Sequence, residues 1–137
     1  MEQALYNPSQ EAMPPDERQR YLNEKLSEIV QYAYENAPAV KEKLDRAGVH
    51  PSQIRCVKDL EKLPITTKDE FVRLQQAKPP FGGFLGVPWD RLGRIYISPG
   101  PIYEPFGKPE DYLWVAKSLY GTGIRQGDRV INTISHH

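Results

Sequence analysis

Strand, helix and strand follow one another within about forty residues at the C-terminal end of this chain, and that order constrains the fold more than any other feature. Arg94-Ile-Tyr-Ile-Ser98 is β-branched and aromatic, as a short strand requires. Pro99-Gly100-Pro101 follows as a dense turn. Pro109 to Tyr120 reads as a helix, with Pro109 at its first position, Glu110 and Asp111 next, and Gly121 past its end. Gln126-Gly127-Asp128 turns the chain into a second strand, Arg129 to Ile134. A unit of this kind is a βαβ crossover and implies a parallel sheet. Two strands do not make a stable parallel sheet covered on both faces. The expected fold class is therefore α/β, with the sheet incomplete at the C-terminus and the chain forming the front part of something longer. An open apolar strand edge also predicts self-association of the isolated chain, and the amphipathic stripes of residues 14–76 fit the contacts of a homodimer as well as they fit burial within one chain.

The pattern before residue 90 is different. Residues 1–13 read as an irregular arm. Residues 14–89 read as a helical region, and 90–137 as the beginning of an α/β subdomain. Pro14 and Pro15 precede a helix with Asp16 and Glu17 in its first turn, where the helix dipole favours acids. Leu22, Leu26, Ile29, Val30 and Ala33 recur at helical spacing. Asn36 and Pro38 end this helix, and a second runs on to Gly48. Val57 to Leu63 reads as short helical turns closed by Pro64. Thr67 to Glu70 is a capping-box pattern: the threonine caps the start and Glu70 reaches back. The helix behind it carries Phe71, Val72 and Leu74. Phe81-Gly-Gly-Phe84 reads as a packed loop, and Trp89 and Trp114 as cover for the joint between helices and sheet.

Composition removes several classes of function. Lysine plus arginine equals aspartate plus glutamate at 18 each, so nothing in the charge balance points to nucleic acid or to an anionic membrane. No apolar run approaches the ~20 residues of a membrane span, and the N-terminus does not read as a signal peptide. Cys56 is the single cysteine, which excludes an internal disulfide and fits a reducing compartment such as the cytoplasm. The 13 prolines in 137 residues mark many loops.

Three segments carry a family pattern in register: Gln31-Tyr-Ala-Tyr-Glu-Asn-Ala-Pro38, Leu44-Asp-Arg-Ala-Gly-Val49 and Leu60-Glu-Lys-Leu-Pro-Ile-Thr-Thr-Lys-Asp-Glu70. Pro80-Phe-Gly82, Val87-Pro88, Arg94 to Ser98 and Gly123-Ile-Arg-Gln-Gly-Asp-Arg-Val130 continue it. The chain resembles the N-terminal region of phenylacetate–CoA ligases, members of the adenylate-forming acyl-CoA synthetase superfamily. The resemblance implies a helical layer followed by the first βαβ unit of a larger sheet. For the full-length parent it implies ATP, Mg²⁺ and coenzyme A as cofactors. The reaction would turn an organic acid into an acyl-adenylate and then an acyl-CoA. A chain of this length alone is then expected to be incomplete and inactive.

The resemblance places Ser98, Gly100, Tyr103, Glu104 and Lys108 at the nucleotide, in the loop that wraps ATP phosphates in relatives. It places Ile134, His136 and His137 at the acyl pocket. Both sites depart from the family pattern. Relatives carry a loop close to Ser-Ser-Gly-Thr-Thr-Gly-Lys-Pro. Here the threonines are missing, Pro99 and Pro101 each remove a backbone donor, and Lys108 comes several residues late. A carboxylate ~4 Å from a phosphate charge costs about 4 kcal/mol at an effective dielectric near 20. Glu104 must therefore point away, take Mg²⁺ as a hard oxygen ligand, or mark a loop that no longer holds ATP. Glu110 and Asp111 add negative charge where a helix would otherwise favour phosphate. Ile134 and His136 stand where aromatics are usual, so phenylacetate itself is a poor expectation for the acid. A non-catalytic relative acting as a binding or interaction module is the alternative.

Overall fold

The computed structural model describes residues 5–108, 115–131 and 133. Its elements are α1 (Pro8–Glu11), α2 (Pro15–Asn36), α3 (Pro38–Arg46), α4 (Lys68–Ala77), β1 (Arg94–Ser98), β2 (Ile102–Phe106) and α5 (Val115–Gly121), with short 3₁₀ turns at Pro51–Gln53, Val57–Lys62 and Trp89–Arg91. They fall into two compact units, one of Pro14–Pro109 and one of Met1–Met13 with Glu110–His137. Among the described residues no helix is long and apolar enough to cross a membrane.

Prolines set the helix boundaries of the larger unit. Pro15 opens α2, with Asp16 and Glu17 in its first turn. Pro38 both ends α2 and opens α3. It forces the preceding Ala37 to extended backbone (φ −114°, ψ 101°) and then supplies the first helical residue itself. The joint is thus one residue long, and Ala37 is buried in it. Beyond α3 the chain turns at Gly48, where the Val49 amide donates to the Leu44 carbonyl at 3.0 Å. Val30, Leu44 and Ile54 form the core, flanked by Leu26, Tyr34, Val40, Val49 and Leu63. Leu22 and Ile29 of the expected inward stripe are exposed instead. α3 and the two turns after it pack on α2, and their core uses only Leu26, Val30 and Tyr34 from that helix.

The capping pattern at Thr67 is half as expected. Thr67 Oγ1 accepts from the Glu70 amide at 3.2 Å, but Glu70 turns to Lys43 on α3, with Nζ to Oε1 at 2.7 Å. The Phe81–Phe84 segment is packed: Phe81 lies on Trp89 and Phe84 edge-on to Phe71, with ring centroids 5.2 and 4.9 Å apart. Gly82 makes this possible. Its φ is +63°, and a Cβ there would stand 2.9 Å from the Leu74 carbonyl carbon.

Helices first and the start of a sheet afterwards is the order expected, but the strand pairing differs. β1 pairs with β2, antiparallel, with Ser98 opposite Ile102 and Arg94 opposite Phe106. The segment read as loop is a hairpin, and the described part of the expected second strand, Arg129–Ile131 and Thr133, carries no strand. An antiparallel partner needs only a turn, and Pro99-Gly100-Pro101 supplies one. Ile102, Tyr103 and Phe106 are good strand formers. Pro105 does not prevent pairing, because its missing N–H falls on the outer edge of β2, away from β1.

In the smaller unit Asn7 caps α1 through its Oδ1, within the segment expected to be an irregular arm, and the Tyr6 ring meets that of Tyr120 of α5 at a tilt of 54°, centroids 5.7 Å apart. The expected turn at Gln126–Asp128 is present, with the Arg125 amide donating to Asp128 Oδ2 at 2.8 Å. The expected start of the helix, with Pro109, Glu110, Asp111 and Trp114, lies outside the described residues, as do Ile134, His136 and His137.

Candidate functional site

The start of α4 and the hairpin face each other across an open cleft of about 520 Å³. Thr66, Thr67, Lys68 and Phe71 line one side, Ile102 and Glu104 of β2 the other, and Phe84 also contributes. Strand alternation puts Ile102 and Glu104 on one face of the hairpin and turns Tyr103 to the opposite one. Ser98 shares the cleft face, because it pairs directly with Ile102.

The tip of the hairpin reaches the helix. A Cβ added at Gly100 would stand 3.2 Å from Lys68 Cε and 3.3 Å from its Nζ. Lys68 therefore lies along the tip, close enough that a side chain at position 100 would have to shift its ammonium end by a few tenths of an ångström. It makes no ion pair among the described residues. It is also the first residue of α4, where the dipole disfavours a cation. The first-turn amides of α4 lie at the same end of the helix, and Thr67 Oγ1 satisfies one of them. The arrangement offers an anion one ammonium and helix amides, opposed by the carboxylates of Glu104 and of Asp69 and Glu70 in the first turn of α4. Pro99 and Pro101 supply no N–H donors at the tip. Donors for an anion therefore lie on the α4 side of the cleft and are absent from the turn.

Gly100 and Glu104 of the expected nucleotide residues meet at this cleft, and Ser98 shares its face. Tyr103 contributes its backbone to α4 rather than its ring to the cleft. Lys108 is elsewhere: its Nζ donates to the Asp90 carbonyl at 2.7 Å. It lines a separate cleft of about 790 Å³ with Tyr32, Pro88, Asp90 and Arg91. Sequence reasoning assigned Thr67 to capping and missed Lys68. The available signal was a cation at the first position of a helix, the one place where the dipole counts against it. Among the described residues no three His, Cys, Asp or Glu side chains are grouped to hold a metal ion.

The ion pair between Lys43 and Glu70 has a pH signature. The Lys43 ammonium, hydrogen-bonded to Glu70, holds that carboxyl below its ordinary value. The pair therefore stabilises the fold above the unfolded-state value near ~4.3, and the contribution is lost as pH falls through the lower folded value. Asp59, held down by Lys62 and the Arg55 amide, and Asp45, held down by Lys41 and Tyr34, act with the same sign. Glu70→Gln is expected to reduce the drop in melting temperature between neutral and acid pH. A drop as steep as that of the unsubstituted chain would remove Glu70 from the acid response.

No protein-family model matches the chain. It is 31% identical over 139 residues to a phenylacetate-coenzyme A ligase of Thermus thermophilus, covering 96% of this chain and 30% of that protein. It is 37% identical over 122 residues to the Escherichia coli phenylacetate-coenzyme A ligase, covering 84% and 27%. Among solved structures, 2-hydroxyisobutyryl-CoA ligase in its postadenylation state with 2-HIB-AMP superposes with a TM-score of 0.84. The identity is 30%, over 93% of this chain and 28% of that one. The same ligase with 2-HIB-AMP and CoA in the thioesterification state gives 0.79. The chain spans about 30% of the length of these relatives.

Proposed function

We propose that this chain, a phenylacetate–CoA ligase-like sequence, is the N-terminal part of an ATP-dependent acid–CoA ligase with an altered phosphate loop. The observation that most supports this is the placing of Lys68 along the Gly100 tip, within a fold that follows an adenylate-bearing ligase over 93% of its length. The parent would convert a small organic acid to its acyl-adenylate with ATP·Mg and then to the CoA thioester. In this reading Lys68 and the start of α4 take over from the loop the task of holding a phosphate group. Ser98 and Gly100 leave room for it. Ile134, His136 and His137 belong to the acid pocket, whose polar residues favour an acid other than phenylacetate. The 137 residues alone would not complete both half-reactions. The reducing compartment implied by the lone cysteine is the cytoplasm. Acid-dependent ATP–pyrophosphate exchange by the full-length gene product is the direct test. Absence of exchange across a broad panel of aryl and alkyl acids would sink the catalytic reading.

A non-catalytic binding module is the second reading, favoured by Pro99, Pro101 and the Glu104 carboxylate in the cleft. Calorimetry with ATP·Mg, AMP and coenzyme A separates the two, since micromolar ATP binding counts against it. Glu104→Gln sharpens the result. Removing a like charge from the cleft is expected to tighten ATP·Mg binding by roughly tenfold, about 1.4 kcal/mol of the bare repulsion. A weaker, Mg²⁺-dependent affinity would instead make the carboxylate a metal ligand. The exposed face of Ile95, Ile97 and Tyr103 supports self-association of the isolated chain, which sedimentation at several concentrations would reveal.

A further inference from the structure

Gln75 is the buried polar side chain of α4, 4% exposed. Its Oε1 accepts from the Tyr103 N–H at 2.9 Å, and its Nε2 donates to the Tyr103 carbonyl at 2.8 Å. The side-chain amide thus stands where the peptide of a next strand would stand on the outer edge of β2. Lys68, Phe71 and Gln75 are spaced three and seven residues apart, which puts them on one face of the helix. That face meets the hairpin at successive levels: Gln75 at Tyr103, Phe71 across the cleft from Ile102, and Lys68 at Gly100.

The outer edge of β2 has a two-residue phase, and the residues in phase with Tyr103 are Pro101 and Pro105. Neither has an N–H. A hairpin slipped by two residues along α4 would present the same side-chain face to the cleft, so apolar packing alone does not forbid it. It would leave the Gln75 carbonyl without a donor, and it would carry the tip about 7 Å away from Lys68. Tyr103 is the one residue between the two prolines that offers both a donor and an acceptor in this phase. We infer that Gln75, Pro101 and Pro105 together form a register lock. Gln75 is the positioning residue that holds the Gly100 tip within reach of Lys68, and the prolines deny it every neighbouring register. Its consequence for ligand binding rests on the reading of the cleft as a phosphate site.

The lock is tested on this chain by nuclear magnetic resonance, in two variants. Gln75→Leu keeps the burial and removes the pairing. The Tyr103 amide is expected to exchange roughly tenfold faster, and cross-peaks between the Lys68 side chain and Gly100 should weaken. Pro105→Val restores a donor in phase and is expected to give two sets of hairpin resonances. Unchanged Tyr103 protection with unchanged Lys68–Gly100 contact in Gln75→Leu overturns the role of Gln75. A single set of resonances in Pro105→Val overturns the role of the proline. Titration with ATP·Mg separates this from the functional reading. Binding weakened roughly tenfold in Gln75→Leu supports both. Lost contact with no binding even in the unsubstituted chain keeps the lock and removes the nucleotide. Binding that survives the loss of contact overturns the positioning role.

Discussion

Replacing Ile54 with alanine, the most deeply buried large side chain among the described residues, is expected to cost about 4 kcal/mol. Ile54 is 1% exposed and joins Val30 of α2 to Leu44 of α3 in the core. It sits between two short 3₁₀ turns, so little regular structure can collapse to fill the space left behind. Its carbonyl also accepts from Ser27 Oγ at 3.1 Å, which ties this connection to α2. Domains of this size are stable by only ~5–15 kcal/mol in total. Urea unfolding should therefore show a clearly lower midpoint at unchanged slope. A loss below ~1.5 kcal/mol would mean that the Val30–Leu44 contact holds the helices together without it.

The largest effect on binding is expected from Lys68→Ala. A hydrogen bond to a charged group contributes about 2 kcal/mol, so the affinity for ATP·Mg should fall by roughly 30-fold. Stability should move the other way, by a few tenths of a kcal/mol, because a cation leaves the positive end of α4. Opposite signs in one variant distinguish a ligand-facing lysine from a structural one. Lys58→Ala, which removes a lysine not lining the cleft, serves as the control. Equal affinity in both variants would place the phosphate elsewhere, with the cleft by Lys108 and Arg91 next in line.

What could be read in advance depended on whether one residue carried the signal alone. Pro15 and Pro38 each fix a helix boundary through their own ring, and the sequence places both boundaries where the structure has them. The hairpin was hidden because the prolines of Ser98–Lys108 suggested a loop. Whether Pro105 breaks a strand or merely marks its edge depends on which side its nitrogen faces, and that is a property of the pairing. Gln75 was hidden for the opposite reason. A glutamine in an amphipathic helix reads as surface, and only the folded chain brings Tyr103 to it. Lys68 lay inside the motif that carried the family resemblance. Its neighbour Thr67 explained that motif as a cap, and the explanation was sufficient without a ligand.

The one-residue joint at Ala37 limits how this part of the molecule can move. α2 is about 33 Å long, and Pro38 fastens its C-terminal end to α3 with no slack. Rotation at such a joint would need φ and ψ values that the proline ring denies to its predecessor. The bend between the two helices is therefore confined to what the extended region allows Ala37. Lys43 of α3 grips Glu70, in the first turn of α4. A change in that bend would therefore reach the first turn of α4 through this one ion pair, which Glu70→Gln would sever.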